Sequence, residues 1–430
     1  MNHVVKGLEI HSRRQTTSLV AWIICGLGAL FYCYEYLLRI APSVMSGELM
    51  RSYHIDATHF GNLTAFYYYA YTPMQIIVGV FMDRYGPRLL VTIACLFCAA
   101  GTYLFACSDL LVVAQLGRFM VGFGSAFAFV GALKLATIWL PPEHFALVSG
   151  IIIGLGNLGA MVGDMFLTTL VKHSGWQQTS MYTALVGIFL ALLIVLIVRD
   201  NNSKVSRTRD LTSFKTVFHG LWQVIRHKQI WLNGLVGALI YLPTTAFAEL
   251  WGIPYLEQAR GFSNADSAQI ISMVFLGWVI GCPLVGFISD HFKRRLMPLM
   301  IGAVVAFVDV CILLYGPTLS IVGTSLLCFV LGAFACVQVL VFAIGRESSP
   351  KRIAGTAIAL TNMLVMLGGV IFQPLVGWFL DMRWDGKLID GVRQYSAQDF
   401  QQAMIVLPVG IAASFIVMWF VKDTRCKLSN

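Results

Sequence analysis

Charge is what this sequence has least of. Only 12% of its 430 residues are Asp, Glu, Lys or Arg, about half the share of a soluble globular chain. That deficit excludes an ordinary soluble enzyme, and a mean hydropathy of +0.76 agrees. Histidine is missing from the apolar runs, all nine copies lying in connecting segments or tails. An intramembrane His relay or a His-built metal site is therefore not expected. No Gly-rich Walker loop is present, which excludes ATP coupling within this chain. No disulfide framework is expected either. Nine of the ten cysteines sit in apolar stretches as small hydrophobes, Cys95 and Cys98 among them. The first apolar run, from Leu19 to Leu38, is too long for a signal-peptide core and is read as a retained helix.

What remains is apolar. At 58% of the chain, the hydrophobic residues suffice for about twelve spans of ~20 residues each. Twelve apolar runs can be marked, at 19–41, 60–82, 89–107, 110–139, 145–170, 178–198, 230–256, 266–288, 297–315, 319–344, 354–380 and 403–421. An even number of crossings puts both termini on one side. Of the 30 Lys and Arg residues, 21 fall in segments on that side, 6 on the other and 3 within spans. The positive-inside rule then predicts cytoplasmic termini in a bacterial-type inner membrane. The same rule accounts for the net charge of +9 without a nucleic-acid partner.

The longest connection on the terminal side divides the chain. The expected organisation is a six-helix unit over 1–198, a linker over 199–229 and a second six-helix unit over 230–430. Within the linker, the basic amphipathic stretch from Phe214 to Arg226 is read as a helix lying on the anionic inner leaflet. The halves also repeat. Gly79 and Asp83 recur as Gly286 and Asp290, and Ala126-Phe-Ala recurs as Ala333-Phe-Ala, both 207 residues on. Gly150, Asn157 and Gly163 recur as Gly355, Asn362 and Gly368 at an offset of 205. Such a parallel duplication is a transporter architecture, with the substrate site near mid-membrane between the halves.

Gly79-Val-Phe-Met-Asp83-Arg84-Tyr-Gly86-Pro-Arg88, between the second and third runs, resembles the signature loop of the major facilitator superfamily. Arg118-x-x-x-Gly122-x-Gly124 is similar to that family's helix-four motif, with Val121 where the family has Gln. The copy at Gly286 and Asp290 is degenerate, with His291 and Lys293 at later positions. The resemblance implies twelve transmembrane helices in two pseudo-symmetric six-helix bundles, an all-α membrane protein. It also implies a conformational latch made of Gly79, Asp83, Arg84, Gly86, Arg88, Gly286 and Asp290, with Arg118 as organiser of helix four. Gly79 would allow a close helix contact. Asp83 would accept hydrogen bonds from a helix N-terminus of the other half. Exporters of the family carry a Gly-Pro pair on helix five. Here the glycines are present without the proline, which favours uptake. The stretch from Tyr34 to Met45 resembles a nutrient-permease subgroup.

Seven ionisable side chains fall well within spans: Glu35, Arg39, Arg118, Lys134, Asp164, Glu249 and Asp309. Unpaired in lipid they would cost roughly 20 kcal/mol together, so they must pair or face water. On the family's layout six of the seven sit on cavity helices, and Asp309 on helix nine breaks the pattern. Tyr32, Glu35, Tyr36 and Arg39 are spaced i, i+3, i+4, i+7 and share one helix face. Glu35 precedes Arg39 in the favourable ion-pair order, so mutual neutralisation and substrate contact both stay open. Tyr68, Tyr71 and Gln75 form a stripe on helix two. Asn157 and Asp164 form one on helix five, where Asp164 could pair with Lys134 of helix four. Glu249, Gln338 and Asn362 are the candidates from the second half.

The function expected is secondary transport of a small polar, charged or zwitterionic solute, an amino acid or organic anion, by proton symport. Asp164, Glu35 and Glu249 are the candidate proton carriers. The chain is expected to act as a monomer in the lipid bilayer, with no cofactor beyond the proton gradient and no enzymatic activity. Two rivals stay open. One is an exporter of a siderophore or drug by proton antiport, the other a non-transporting sensor that keeps the fold.

Overall fold

The computed structural model describes residues 19–141, 144–200, 214–350, 353–389 and 392–424. Its elements are almost all helical, as a lipid-embedded backbone requires, since every N–H and C=O must then be satisfied within its own segment. Among the described residues, ten helical segments are long and apolar enough to cross a membrane. One of them, Leu147–Ile197, contains two crossings. The 53-residue helix Phe145–Ile197 breaks at Gly175, whose φ of 77° is available to glycine without strain. Ala57–Tyr85 supplies the twelfth crossing, and its 29 residues include an unusually polar stripe.

We number the crossings α1 (Leu19–Val44), α2 (Ala57–Tyr85), α3 (Pro87–Cys107), α4 (Leu111–Trp139), α5 (145–174) and α6 (176–197). The second half contains α7 (Lys228–Arg260), α8 (Asn264–Phe292), α9 (Leu296–Tyr315), α10 (Ile321–Glu347), α11 (Ala354–Arg383) and α12 (Ala397–Met418). The twelve apolar runs correspond to these helices in order. A short helix, Ser46–Tyr53, and a two-stranded hairpin, Leu388–Ile389 with Val392–Arg393, lie on the face opposite the termini. We call that the distal face, and the other the terminal face.

Glycines set the packing, and they do so twice. A Cβ on Gly122 of α4 would stand 2.0 Å from the Tyr67 carbonyl oxygen of α2. A Cβ on Gly332 of α10 would stand 1.9 Å from the Val274 carbonyl of α8. The duplication read in the sequence thus reappears as two equivalent backbone-on-backbone crossings. Between the halves, α2 packs along α11 and the broken helix Phe145–Ile197 along α8.

The linker helix Phe214–Ile225 packs on the terminal end of α11. Val224 is buried there with Ile230, Ala357, Leu360 and Leu364. Trp222 faces outward with the Arg226 guanidinium over its ring at 4.6 Å. Residues 201–213, the polar part of the expected linker, lie outside the described residues.

Candidate functional site

Prolines place the site by freeing carbonyls. Pro42 in α1 has no N–H for the Leu38 carbonyl four residues earlier. Arg118 of α4 takes up that acceptor, donating from Nη1 to Leu38 O at 2.8 Å and from Nη2 to Arg39 O at 3.3 Å. Pro254 leaves the Leu250 carbonyl of α7 in the same position, and Ser43 of α1 donates its hydroxyl there at 2.9 Å. The stretch of α7 from Pro243 to Trp251 is wound as a π-helix, a winding often found at functional sites. It carries Glu249.

The predicted face of α1 is present and fully buried. Arg39 donates to Glu35 Oε1 from Nη2 at 2.6 Å and from Nε at 3.1 Å. Its guanidinium lies over the Tyr36 ring at 4.3 Å, with the rings of Tyr71 and Tyr67 at 5.1 and 5.3 Å. The Nη1 atom stands 3.7 Å from Glu249 Oε1, a charge contact between the halves that is longer than a hydrogen bond. Tyr68 closes the bridge by donating its hydroxyl to Glu249 Oε2. One oxygen of Glu35, Oε2, is buried without a partner among the described residues. The arrangement is a buried, aromatic-walled site holding one cation between two carboxylates, one from each half.

Two contributors escaped the sequence reading. Tyr67 donates its hydroxyl to Glu35 and accepts from Arg39 Nε at 3.1 Å. Tyr241 donates to Glu249 Oε1 at 3.3 Å. The tyrosine-rich run on α2 is visible in the sequence, but a stripe through Tyr68 and Tyr71 leaves out Tyr67, and the structure uses Tyr67 and Tyr68 alike.

Other expected residues lie elsewhere. Lys134 does not meet Asp164. Its Nζ donates to Asp83 Oδ1 at 2.5 Å near the terminal face, because α4 brings it to the end of α2. Asp164 is fully buried, and both its carboxylate oxygens lack partners among the described residues. Asn157 donates along its own helix to Ile153 O at 3.1 Å. Asn362 donates to Gln75 Oε1 at 2.8 Å, joining α11 to α2 below the ion pair. Gln338 is buried in a 3-10 turn, Cys336–Val339, with its Nε2 unpartnered. Asp309, also buried, keeps one oxygen unpartnered on α9.

The expected latch differs as well. Asp83 bonds Lys134 of its own half, not a helix N-terminus of the other. Gly79 and Gly286 face open space, with nothing among the described residues within 4 Å of a Cβ, so the close contact expected of Gly79 is not made. Gly86 links α2 to α3 at a φ of 82°, and Arg88 ties the loop to α6 by donating to Val195 O at 2.8 Å. Asp290 and Glu347 both hold Arg295, at 2.6 and 2.8 Å, a second intra-half cluster. Arg118 belongs to the mid-membrane site and not to the loop.

The description of the Major Facilitator Superfamily matches residues 17–373. The chain belongs to this superfamily. Among its similar proteins, the probable sulfoacetate transporter SauU of Cupriavidus necator is 23% identical over 64% of this chain and 66% of its own length. The probable galactarate/D-glucarate transporter GudP of Escherichia coli (strain K12) is 21% identical over 86% of this chain and 89% of its own. The hexuronate transporter of the same organism is 23% identical over 84% and 88%. A bacterial homologue of the human lysosomal transporter Spinster, solved inward-facing and unoccupied, superposes with a TM-score of 0.76 at 15% identity, covering 95% of this chain and 98% of that one. A D-xylose–proton symporter gives 0.71, also at 15%, over 95% and 99%. These likenesses establish the twelve-helix facilitator fold, and with the superfamily match a multi-pass membrane transporter rather than an enzyme.

Proposed function

We propose that this facilitator takes up a small polar, charged or zwitterionic solute, an organic anion or amino acid, together with protons. It works by alternating access as a monomer in a bacterial-type inner membrane, with its termini in the cytoplasm. The observation that carries this reading is Arg39, held between Glu35 of its own half and Glu249 of the other. A solute carboxylate can compete for the Nη1 edge, where the Glu249 contact is long. An amino group can use the vacant Oε2 of Glu35. Relatives named for sulfoacetate, galactarate and hexuronate support the anion side of this class.

Proton coupling follows from charge balance. Arg118 is committed to backbone carbonyls, and Arg39 with two carboxylates already leaves no surplus positive charge for an anion. An entering anion is therefore favoured when a carboxyl at the site carries a proton. Glu35 and Glu249 are the carriers in contact with Arg39. Asp164, buried with both carboxylate oxygens unpartnered among the described residues, is the third candidate carrier.

Uptake into proteoliposomes under an inward proton gradient tests the proposal. Accumulation of an organic anion or amino acid, abolished by a protonophore, is the expected result. Glu35→Gln should abolish it with expression preserved. Failure to accumulate any solute of these classes overturns the reading.

A further inference from the structure

The latch expected from the signature loop lies at the terminal face, yet the densest bonding between the halves is at the distal face. The first turn of any helix leaves four backbone N–H groups without partners. On α2 the Asp56 side chain satisfies His59 N at 2.9 Å, and Phe60 N makes the first helical bond, to Asp56 O at 2.9 Å. The N–H groups of Ala57 and Thr58 are satisfied by the opposite half. Thr58 N donates to Asp381 Oδ2 at 2.7 Å, and Ala57 N donates to the Tyr395 hydroxyl at 3.2 Å.

Asp381, at the end of α11, is itself saturated. Its Oδ2 also accepts from the Thr58 hydroxyl at 2.5 Å. Its Oδ1 accepts from the Tyr395 hydroxyl at 2.6 Å and from Arg393 Nη1 at 3.0 Å. Arg393 belongs to the hairpin, lies over Trp384 at 4.4 Å, and reaches Asp56 of the first half at 3.8 Å. Beneath this cluster the helices touch backbone to backbone. A Cβ on Gly377 would stand 2.2 Å from Ala57 O, and one on Gly61 would stand 2.6 Å from Gln373 O. Towards the terminal face the same two helices are joined by the Asn362–Gln75 bond.

We propose that Asp381 is the latch of the distal gate. Its carboxylate docks on the N-terminus of α2, where the helix dipole and exposed N–H groups attract an anion. Arg393 and Tyr395 hold the carboxylate at the correct angle. Withdrawing Asp381 and Tyr395 together strips two N–H groups of α2 of their partners at once, while Arg393 and Tyr395 keep the carboxylate bonded within its own half, so the distal face opens as a unit. Asp381, Arg393 and Tyr395 all lie beyond residue 373, where the superfamily match ends. The proposal rests on the alternating-access reading, and its test separates the two.

Spin labels at Arg51 and Lys387, both exposed and on opposite halves, report the distal opening in the full-length protein by pulsed electron resonance in nanodiscs. A second pair at Tyr85 and Phe292 reports the terminal face. Asp381→Ala should raise the distal-open fraction about tenfold or more relative to wild type, the factor expected for losing hydrogen bonds to a charged group. Arg393→Ala and Thr58→Val should move it the same way by less, and they decide the matter if Asp381→Ala does not fold. Asp385→Asn, on the same loop, should leave it unchanged. An unchanged distal fraction in all three gate variants, with wild type populating two states, overturns the latch alone. A single distance at both faces in every protein overturns alternating access and the latch with it.

Discussion

Gly122→Ala tests the link between packing and site most directly. The added Cβ would stand 2.0 Å from the Tyr67 carbonyl oxygen, where ordinary contact begins near 3.4 Å, so α2 must withdraw from α4 by about 1 Å or more. Overpacking of this kind costs about 1–3 kcal/mol. The displaced residue is Tyr67, whose hydroxyl meets Glu35 and lies 3.1 Å from Arg39 Nε. A 1 Å retreat takes that contact beyond hydrogen-bond range, a loss of about 1.5–3 kcal/mol for a bond to a charged group. Transport should therefore fall at least about tenfold, beyond what lower stability accounts for. Gly332→Ala supplies the comparison. It creates the equivalent clash, 1.9 Å from Val274 O, in the other half and away from Tyr67. Gly150→Ala, with open space around its Cβ, should be neutral or slightly stabilising. Thermal unfolding in detergent followed by tryptophan fluorescence, alongside uptake normalised to folded protein, reads both effects. A melting temperature for Gly122→Ala equal to that of Gly150→Ala would refute the packing argument. Equal transport losses in Gly122→Ala and Gly332→Ala would refute the link to the site.

Three further outcomes are expected. Glu249→Gln keeps an acceptor for Tyr68 but removes the charge facing Arg39, so proton-driven accumulation should be lost while solute exchange persists, and counterflow in proteoliposomes checks this. Asp83→Asn and Lys134→Ala break the same 2.5 Å pair, so the double variant should be no worse than either single one in unfolding measurements; strictly additive losses would contradict the pairing. Asp56 at the distal face gives a pH signature. Burial opposes its ionisation, but the His59 backbone and ring N–H groups and Arg393 outweigh burial and hold its pKa below the ordinary carboxylate value. Its stabilisation is thus full above about pH 4 and lost as pH falls through the lowered value. The stability gap between wild type and Asp56→Asn should shrink as pH falls into strong acid, as melting curves would show.

Much of the site could be read from helical spacing, because residues on one helix face stay together whatever surrounds them. Tyr32, Glu35, Tyr36 and Arg39 needed only the 3.6-residue period of α1 to be placed side by side. Lys134 and Asp164 show the limit of that reasoning. Both lie on cavity helices, but they differ in depth, and the end of α2 reaches Lys134 first. Tyr67 and Tyr241 were missed because their roles depend on which helices cross near them.

By itself, the sequence determined the class of solvent, the twelve crossings, the duplication and the charged face of α1. These follow from local hydropathy and periodicity, which the membrane enforces residue by residue. Only the tertiary structure decided that Glu249 completes the ion pair, that Asp83 rather than Asp164 meets Lys134, and that Asp381 docks on α2. Each of these joins residues 50 to more than 300 positions apart. Their meeting depends on backbone crossings at glycines and on carbonyls freed by proline, and no spacing along the chain encodes either distance.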